Sequence, residues 1–94
     1  MFERILNQLR EKIRTRQYVM TLHANEEMEE DELTIFDVES IVLSGSIIER
    51  QRDIASGEWK YLVKGESLKS EPVIAVTKIS PTGKLVFVTV YREE

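Results

Sequence analysis

The single histidine and two acidic residues that follow it have the types and spacing that could support chemistry. An imidazole titrates near neutral pH, so His23 would suit general acid–base work or contact with phosphate. Glu27 and Asp31 lie four residues apart, which on a helix places both carboxylates on one face near His23. Such a pair could bind a divalent cation or supply a base. A structural histidine beside a solvated acidic run is the alternative.

A second candidate group is basic and lies in the later half of the chain. Arg50 and Arg52 share one side of a predicted strand, and Lys60 and Lys64 share one side of its predicted hairpin partner. Together they could form a cationic patch that binds phosphate or a partner. Pairing with acidic neighbours across the strands is the alternative, since surface ion pairs are common and weak.

Aromatic residues occur at two informative places in the predicted strands. Trp59 and Tyr61 alternate with charged residues, which predicts that both face the core. Tyr91 and Arg92 end the last strand, where a phenol and a guanidinium could meet a ligand at the sheet rim.

Hydrophobic periodicity supplies the elements that must position these residues. It predicts an amphipathic helix over 2–16, a short strand over 18–23 and a second helix over 24–32. A third helix over 35–43 should begin at the N-cap Thr34; Asp37 completes a capping box, and Gly45 marks the end.

Alternating and continuous apolar runs predict four further strands. The last two are the most apolar and should therefore be central, with at least partial cover on both faces. Helices followed by antiparallel hairpins indicate a single α+β domain over residues 1–94, with the helices on one face of a mainly antiparallel, four- to five-stranded sheet. The predicted strands cover 46–52, 58–64, 73–79 and 85–91, with a polar loop from Gly65 to Pro72.

The net charge of −4 is distributed unevenly along the 94 residues. Residues 1–17 hold five basic and two acidic side chains, whereas residues 23–39 hold eight acidic side chains and no Lys or Arg. Because nucleic-acid affinity comes mainly from cations that neutralise phosphate, the acidic segment makes a poor RNA-binding face. RNA contact would have to use the basic helix or the strands.

Composition excludes several classes of protein. The chain has no cysteine and one histidine, so disulfides, thiolate catalysis and multi-histidine metal sites are ruled out. No phosphate loop, dinucleotide fingerprint or hydrolase triad motif occurs. We expect no cofactor, no resident metal, no membrane association and a cytoplasmic location; an exposed strand edge would allow oligomerisation.

The order of motifs and strands resembles the domain of unknown function 4258 family over about residues 18–92. The resemblance rests on residues 21–28 (TLHANEEM), 33–34 (Leu-Thr) and 37–38 (Asp-Val), followed by the strand at 47–53 and the ending at 89–91. Members carry His-Ala-x-x-Arg-Met-x-x-Arg before a helix. The family is in turn similar to small RelE/ParE-like and BrnT-like toxins, which implies a helix-plus-sheet fold, a signature role for His23 and RNA cleavage in several relatives.

The chain departs from the family pattern where its two arginines would stand, at Glu27 and Asp31. Acids at these positions repel the phosphate that arginines would attract. Our first hypothesis is therefore a non-catalytic module that uses its acidic helix to bind a partner with a basic surface. The second is a toxin-like ribonuclease that acts through His23, with Lys60, Arg50 and Arg92 as phosphate contacts. The third is a metal-dependent enzyme using His23, Glu27 and Asp31.

Overall fold

Three helices and five strands make up the computed structural model, which describes residues 2–93. The α+β class predicted from the sequence is confirmed. The elements follow in the order α1 (Glu3–Arg14), β1 (Tyr18–Met20), α2 (Leu22–Glu30), α3 (Ile35–Ser44), β2 (Ser46–Arg52), β3 (Trp59–Glu66), β4 (Pro72–Ile79) and β5 (Leu85–Arg92).

The five strands form one sheet in the order β1-β5-β4-β3-β2. Strands β2 to β5 pair antiparallel with their neighbours, and β1 pairs parallel with β5. The predicted mainly antiparallel sheet is confirmed, with β4 in the middle and β5 beside it. Strand β2 lies at one edge, and β1 covers only the first three residues of β5 at the other.

Burial along the cross-strand register shows which face the helices cover. Side chains alternate between the two faces of a sheet, so each cross-strand row belongs to one face. Two of these rows point to the same face of the sheet and are buried. The row that lies between them along the strands points to the opposite face and is half-buried. The buried rows are Val63, Ala75, Val90 and Tyr61, Thr77, Phe87; the half-buried row is Leu62, Val76, Thr89.

Helices α1 and α3 bury their apolar faces against this covered side. Leu9 and Ile13 of α1 pack in the same cluster as Val38 and Ile41 of α3 and Phe87 of β5. Full burial of such a side chain contributes roughly 1.5–3 kcal/mol, so the spacing that predicted the two helices also accounts for their position.

Helix α3 has the predicted capping box, which also holds a distant loop. The Thr34 backbone N–H donates to Asp37 Oδ2 at 2.8 Å, and the Asp37 N–H donates to Thr34 Oγ1 at 3.3 Å. Asp37 Oδ1 accepts the Leu68 N–H at 2.9 Å, which ties the β3–β4 loop to the helix. Burial opposes ionisation of this carboxyl, but the hydrogen bonds from Thr34 and Leu68 and the Lys69 charge outweigh it and lower the pKa of Asp37.

Three predicted boundaries or positions were wrong. Strand β1 ends at Met20 rather than residue 23, because the Thr21 hydroxyl accepts the Ala24 N–H at 3.1 Å and starts α2 at Leu22. Gly65 lies inside β3, paired with Val73, and not at the start of a loop. Trp59 was predicted to be in the core with Tyr61, yet it is 37% exposed because its strand begins beyond the area that the helices cover.

Tyr18 links β1 to α3 and should show an unusual titration. Its hydroxyl donates to Glu39 Oε2 at 2.6 Å, and burial, this hydrogen bond and the Glu39 charge raise the pKa of Tyr18 to about 12. The raised pKa stabilises the fold below the ordinary phenol pKa of about 10, and this contribution is lost as pH rises through about 12.

A spectrophotometric phenolate titration, with circular dichroism to follow folding, should therefore show a late transition from Tyr18. Tyr18→Phe should remove that transition. Glu39→Gln should move it towards the ordinary value without reaching it, because burial is the largest cause of the shift. A wild-type titration with no late tyrosine in the folded state would contradict the Tyr18–Glu39 contact.

Candidate functional site

Helix α2 lies along the part of β5 that β1 leaves unpaired. Thr21 lies where the neighbour of β5 changes from β1 to α2. Its N–H donates to Phe87 O at 3.1 Å, and its hydroxyl donates to Val88 O at 3.0 Å. The same hydroxyl accepts from the Ala24 N–H. One side chain therefore ends the strand pairing and begins the helix.

The two carboxylates singled out from the sequence take the place of a neighbouring strand. Glu27 Oε1 accepts the Val90 N–H at 3.1 Å, and Asp31 Oδ2 accepts the Arg92 N–H at 3.1 Å. Four residues of helix rise about 6 Å and two residues of strand about 6.6 Å, so the spacings match. Glu27 and Asp31 thus act as hydrogen-bond acceptors along an otherwise open sheet edge.

His23 lies one helical turn before Glu27 and shares its carboxylate. Its Nε2 atom is 3.3 Å from Glu27 Oε1, the same oxygen that accepts the Val90 N–H. The histidine side chain is 65% exposed, against 22% for Glu27. The structure thus places His23 in the first turn of α2 rather than at a strand end, beside a carboxylate that already holds the sheet.

Arg92 is engaged at this edge, and Tyr91 lies away from it. The Arg92 guanidinium donates to the Asp31 carbonyl and lies 3.4 Å from Glu71 Oε2. Tyr91 is the adjacent residue of β5 and faces the other side of the sheet, in register with Ile74. The phenol and the guanidinium predicted to meet one ligand therefore lie on opposite faces.

The predicted cationic patch is divided between the two faces of the sheet. Arg50 and Arg52 pair with Tyr61 and Trp59, so they lie on the same face as these aromatic rings. Lys60 faces the other side, with its Nζ 3.3 Å from Asp53 Oδ2. Lys64 lies on that same side, with its Nζ 2.6 Å from Glu93 Oε1.

The structure does not bring His23 together with Arg50 and Arg52. His23 belongs to α2 beside β5, whereas Arg50 and Arg52 lie on β2 at the far edge. Three strand spacings separate β5 from β2, about 14 Å. Of the three phosphate contacts in the second hypothesis, Arg92 lies at the α2–β5 edge, whereas Arg50 on β2 and Lys60 on β3 lie apart from His23.

Residues 2–93 contain no group of three or more His, Asp or Glu side chains arranged to hold a metal ion. His23, Glu27 and Asp31 do not converge on one point, because the two carboxylates accept backbone N–H groups two residues apart on β5. Within the same described residues, no helix has the length and apolar character needed to cross a membrane.

Two residues at these sites were missed by sequence reasoning. Thr21 was assigned to a strand, although a threonine directly before a helix-forming segment is a signal for an N-cap. Trp59 was assigned to the core, although its position next to the Gly57 turn and opposite Arg52 places it at the turn end of a hairpin. Both errors concern residues at the boundary of an element.

Comparison with known proteins covers α2, α3 and strands β2 to β5, and leaves out α1. A family model described as Domain of unknown function (DUF4258) matches residues 20–92. The chain belongs to this family. The span matched to DUF4258 runs from the last residue of β1 to the end of β5 and includes the α2–β5 contact. Searches of curated proteins and of solved structures gave no significant match.

Proposed function

We propose that this DUF4258 member is a non-catalytic protein-interaction module that binds a partner with a basic surface. The observation that carries the proposal is the acidic outer face of α2 and the turn after it. Glu26, Glu29, Glu30 and Glu32 are exposed there, and none has a Lys or Arg within 4 Å among residues 2–93. A dense set of unpaired carboxylates favours encounter with a cationic surface and raises the association rate.

An apolar groove follows this acidic segment closely along the chain. It has a volume of about 510 Å³ and is lined mainly by Phe36 and Leu43 of α3 and Leu68 of the β3–β4 loop. Phe36 is 64% exposed. The Asp37–Leu68 hydrogen bond fixes the loop against the helix, so the groove is preformed. Exposed apolar side chains beside charged ones are the usual composition of a protein interface.

The hydrogen bond that Glu27 accepts from β5 favours a binding function over a catalytic one. In nucleophilic catalysis, a general base acts with a group that orients it and with a nucleophile that it deprotonates. His23 has one such neighbour, Glu27, and that carboxylate also accepts a hydrogen bond from β5. This support of the sheet accounts for the position of the Glu27 carboxylate without a catalytic role.

An affinity experiment tests the proposal. Immobilised protein should retain a basic partner at low salt and release it as salt rises, because screening weakens exposed charge pairs. Glu26→Gln/Glu30→Gln and Phe36→Ser should each reduce retention. Two matched controls should retain the partner: Glu49→Gln/Glu58→Gln removes two acids elsewhere, and Ile54→Ser changes an apolar side chain that is 98% exposed on the β2–β3 turn. Equal retention by all variants, or none by wild type, would contradict the proposal.

The alternative is a toxin-like ribonuclease, as the resemblance to RelE/ParE-like and BrnT-like toxins implies. The exposed imidazole of His23 beside Glu27 is the observation that favours it. Purified protein would be incubated with a labelled mixed RNA pool, with and without ribosomes. Cleavage that disappears in His23→Ala would replace the binding proposal; intact RNA would leave it standing.

A further inference from the structure

An aromatic and cationic cluster lies at the turn end of the β2–β3 hairpin, formed by Arg50, Arg52 and Trp59. The Arg50 guanidinium carbon is 4.0 Å from the centroid of the Trp59 ring, and that of Arg52 is 5.3 Å away. Phe2 extends the aromatic surface, with its ring centroid 6.0 Å from the Arg50 guanidinium. Stacking on an aromatic face orders a guanidinium while its N–H edge stays open to a ligand.

These two arginines are not neutralised by carboxylates within the described chain. Among residues 2–93, neither guanidinium has an Asp or Glu oxygen within 4 Å, and both side chains are exposed. Lys60 and Lys64, on the other face of β3, each have a carboxylate at 3.3 Å or less. The cluster therefore presents two positive charges, neither of them in a direct ion pair within the described residues.

The acidic helix does not cancel this charge. The edge that carries Arg50 and Arg52 is three strand spacings, about 14 Å, from β5, and α2 lies against β5. Exposed charges are screened beyond about 8 Å at physiological ionic strength. An anion at β2 consequently experiences the arginines far more strongly than the glutamates.

We propose that Arg50, Arg52 and Trp59 form a binding surface for single-stranded nucleic acid. The guanidiniums would contact phosphate oxygens, and unpaired bases would stack on the Arg50–Trp59 pair, since bases stack on both aromatic rings and guanidinium planes. Arg50 and Arg52 are two residues apart on an extended strand, so they lie about 6.6 Å apart along it and can contact successive backbone groups. This surface is separate from the acidic face and groove of the proposed interaction module.

Trp59 is the only tryptophan in the chain, so its fluorescence reports directly on the cluster. The probe is a mixed-sequence RNA oligomer of about 12 nucleotides, within the usual range of single-strand sites. Titration at about 50 mM salt should quench Trp59 and raise the anisotropy of a labelled oligomer, with a dissociation constant of about 1–100 µM. The affinity should fall with added salt, with a log–log slope near −1.4 for two phosphates on a single strand.

Arg50→Ala/Arg52→Ala should weaken binding at least tenfold, with folding checked by circular dichroism. Lys60→Ala/Lys64→Ala is the matched control, because it removes the same charge from the opposite face and should leave binding within about twofold of wild type. Trp59→Leu should weaken binding more than Trp59→Phe, which keeps an aromatic face. Equal losses in the arginine and lysine variants would overturn the proposal. So would inorganic polyphosphate that competes as well as RNA of equal charge, or absence of both signals at about 100 µM protein.

Discussion

Replacing Glu27 and Asp31 with arginine is expected to lower the free energy of unfolding by about 3 kcal/mol. A guanidinium has donors only, so it cannot accept the Val90 and Arg92 N–H groups that the two carboxylates hold at 3.1 Å. Val90 is fully buried, and leaving its N–H unpaired costs about 1–3 kcal/mol. Arg92 is exposed, so water would replace Asp31 at about 1 kcal/mol or less.

Urea unfolding followed by circular dichroism measures this difference, and the chain offers a matched control. Glu26→Arg/Glu30→Arg makes the same change of charge on the same helix, but at exposed residues whose side chains bond nothing else among residues 2–93. That variant should be as stable as wild type or slightly more so, because it relieves repulsion between neighbouring glutamates. Glu27→Gln keeps an acceptor oxygen and should cost only about 1 kcal/mol.

Comparable stability in the two arginine variants would show that the carboxylates are not needed at the β5 edge. Large destabilisation of the Glu27/Asp31 variant alone would show that the acids at these two positions stabilise the fold. The family resemblance places arginines at both, and in this chain the acids act as acceptors for strand N–H groups. The replacement of the family's two arginines by acids would then contribute to the stability of this chain.

Much of the fold follows from the sequence, because its signals are local. The helical spacing of Leu9 and Ile13, the capping box of Thr34 and Asp37, and the apolar runs of the last two strands each depend on nearby residues. These signals gave the correct element order and the correct α+β class. The position of β1 beside β5 was not available from local signals, since it depends on a parallel pairing across 64 intervening residues, from Met20 to Leu85.

The candidate sites were harder to predict because they also depend on contacts between residues that are distant in the sequence. The sequence singled out Glu27 and Asp31 by their spacing, but a ligand pair and an edge-capping pair have identical spacing on a helix. Only the position of β5 distinguishes them. Arg50 and Lys60 likewise looked like one patch, and the hairpin register places them on opposite faces. A shift of one residue in register exchanges the faces, so composition alone cannot decide which charges share a surface.

Gly65→Ala is expected to destabilise the protein by about 3 kcal/mol or more, because α3 packs directly on the backbone of β3 at this residue. A Cβ atom added at Gly65 would lie 2.2 Å from the carbonyl oxygen of Ile41 and 2.8 Å from its Cα. Both atoms belong to the helix backbone, so no side-chain rotation relieves the overlap, and forced overpacking of this kind costs about 1–3 kcal/mol or more. For a domain of this size, the melting temperature should fall by about 12 °C or more.

Gly57→Ala is the matched control, since it adds the same methyl group where no atom lies within 4 Å. Gly57 has a positive φ of 74°, so alanine there should cost only about 1 kcal/mol of backbone strain. A Gly65→Ala variant as stable as the Gly57 variant would mean that α3 can move away from β3 at little cost. In that case the Phe36–Leu68 groove could not be rigid, because the same helix forms its wall. A much larger loss at Gly65 than at Gly57 would instead show that the backbone contact between α3 and β3 fixes the helix that carries the proposed binding groove.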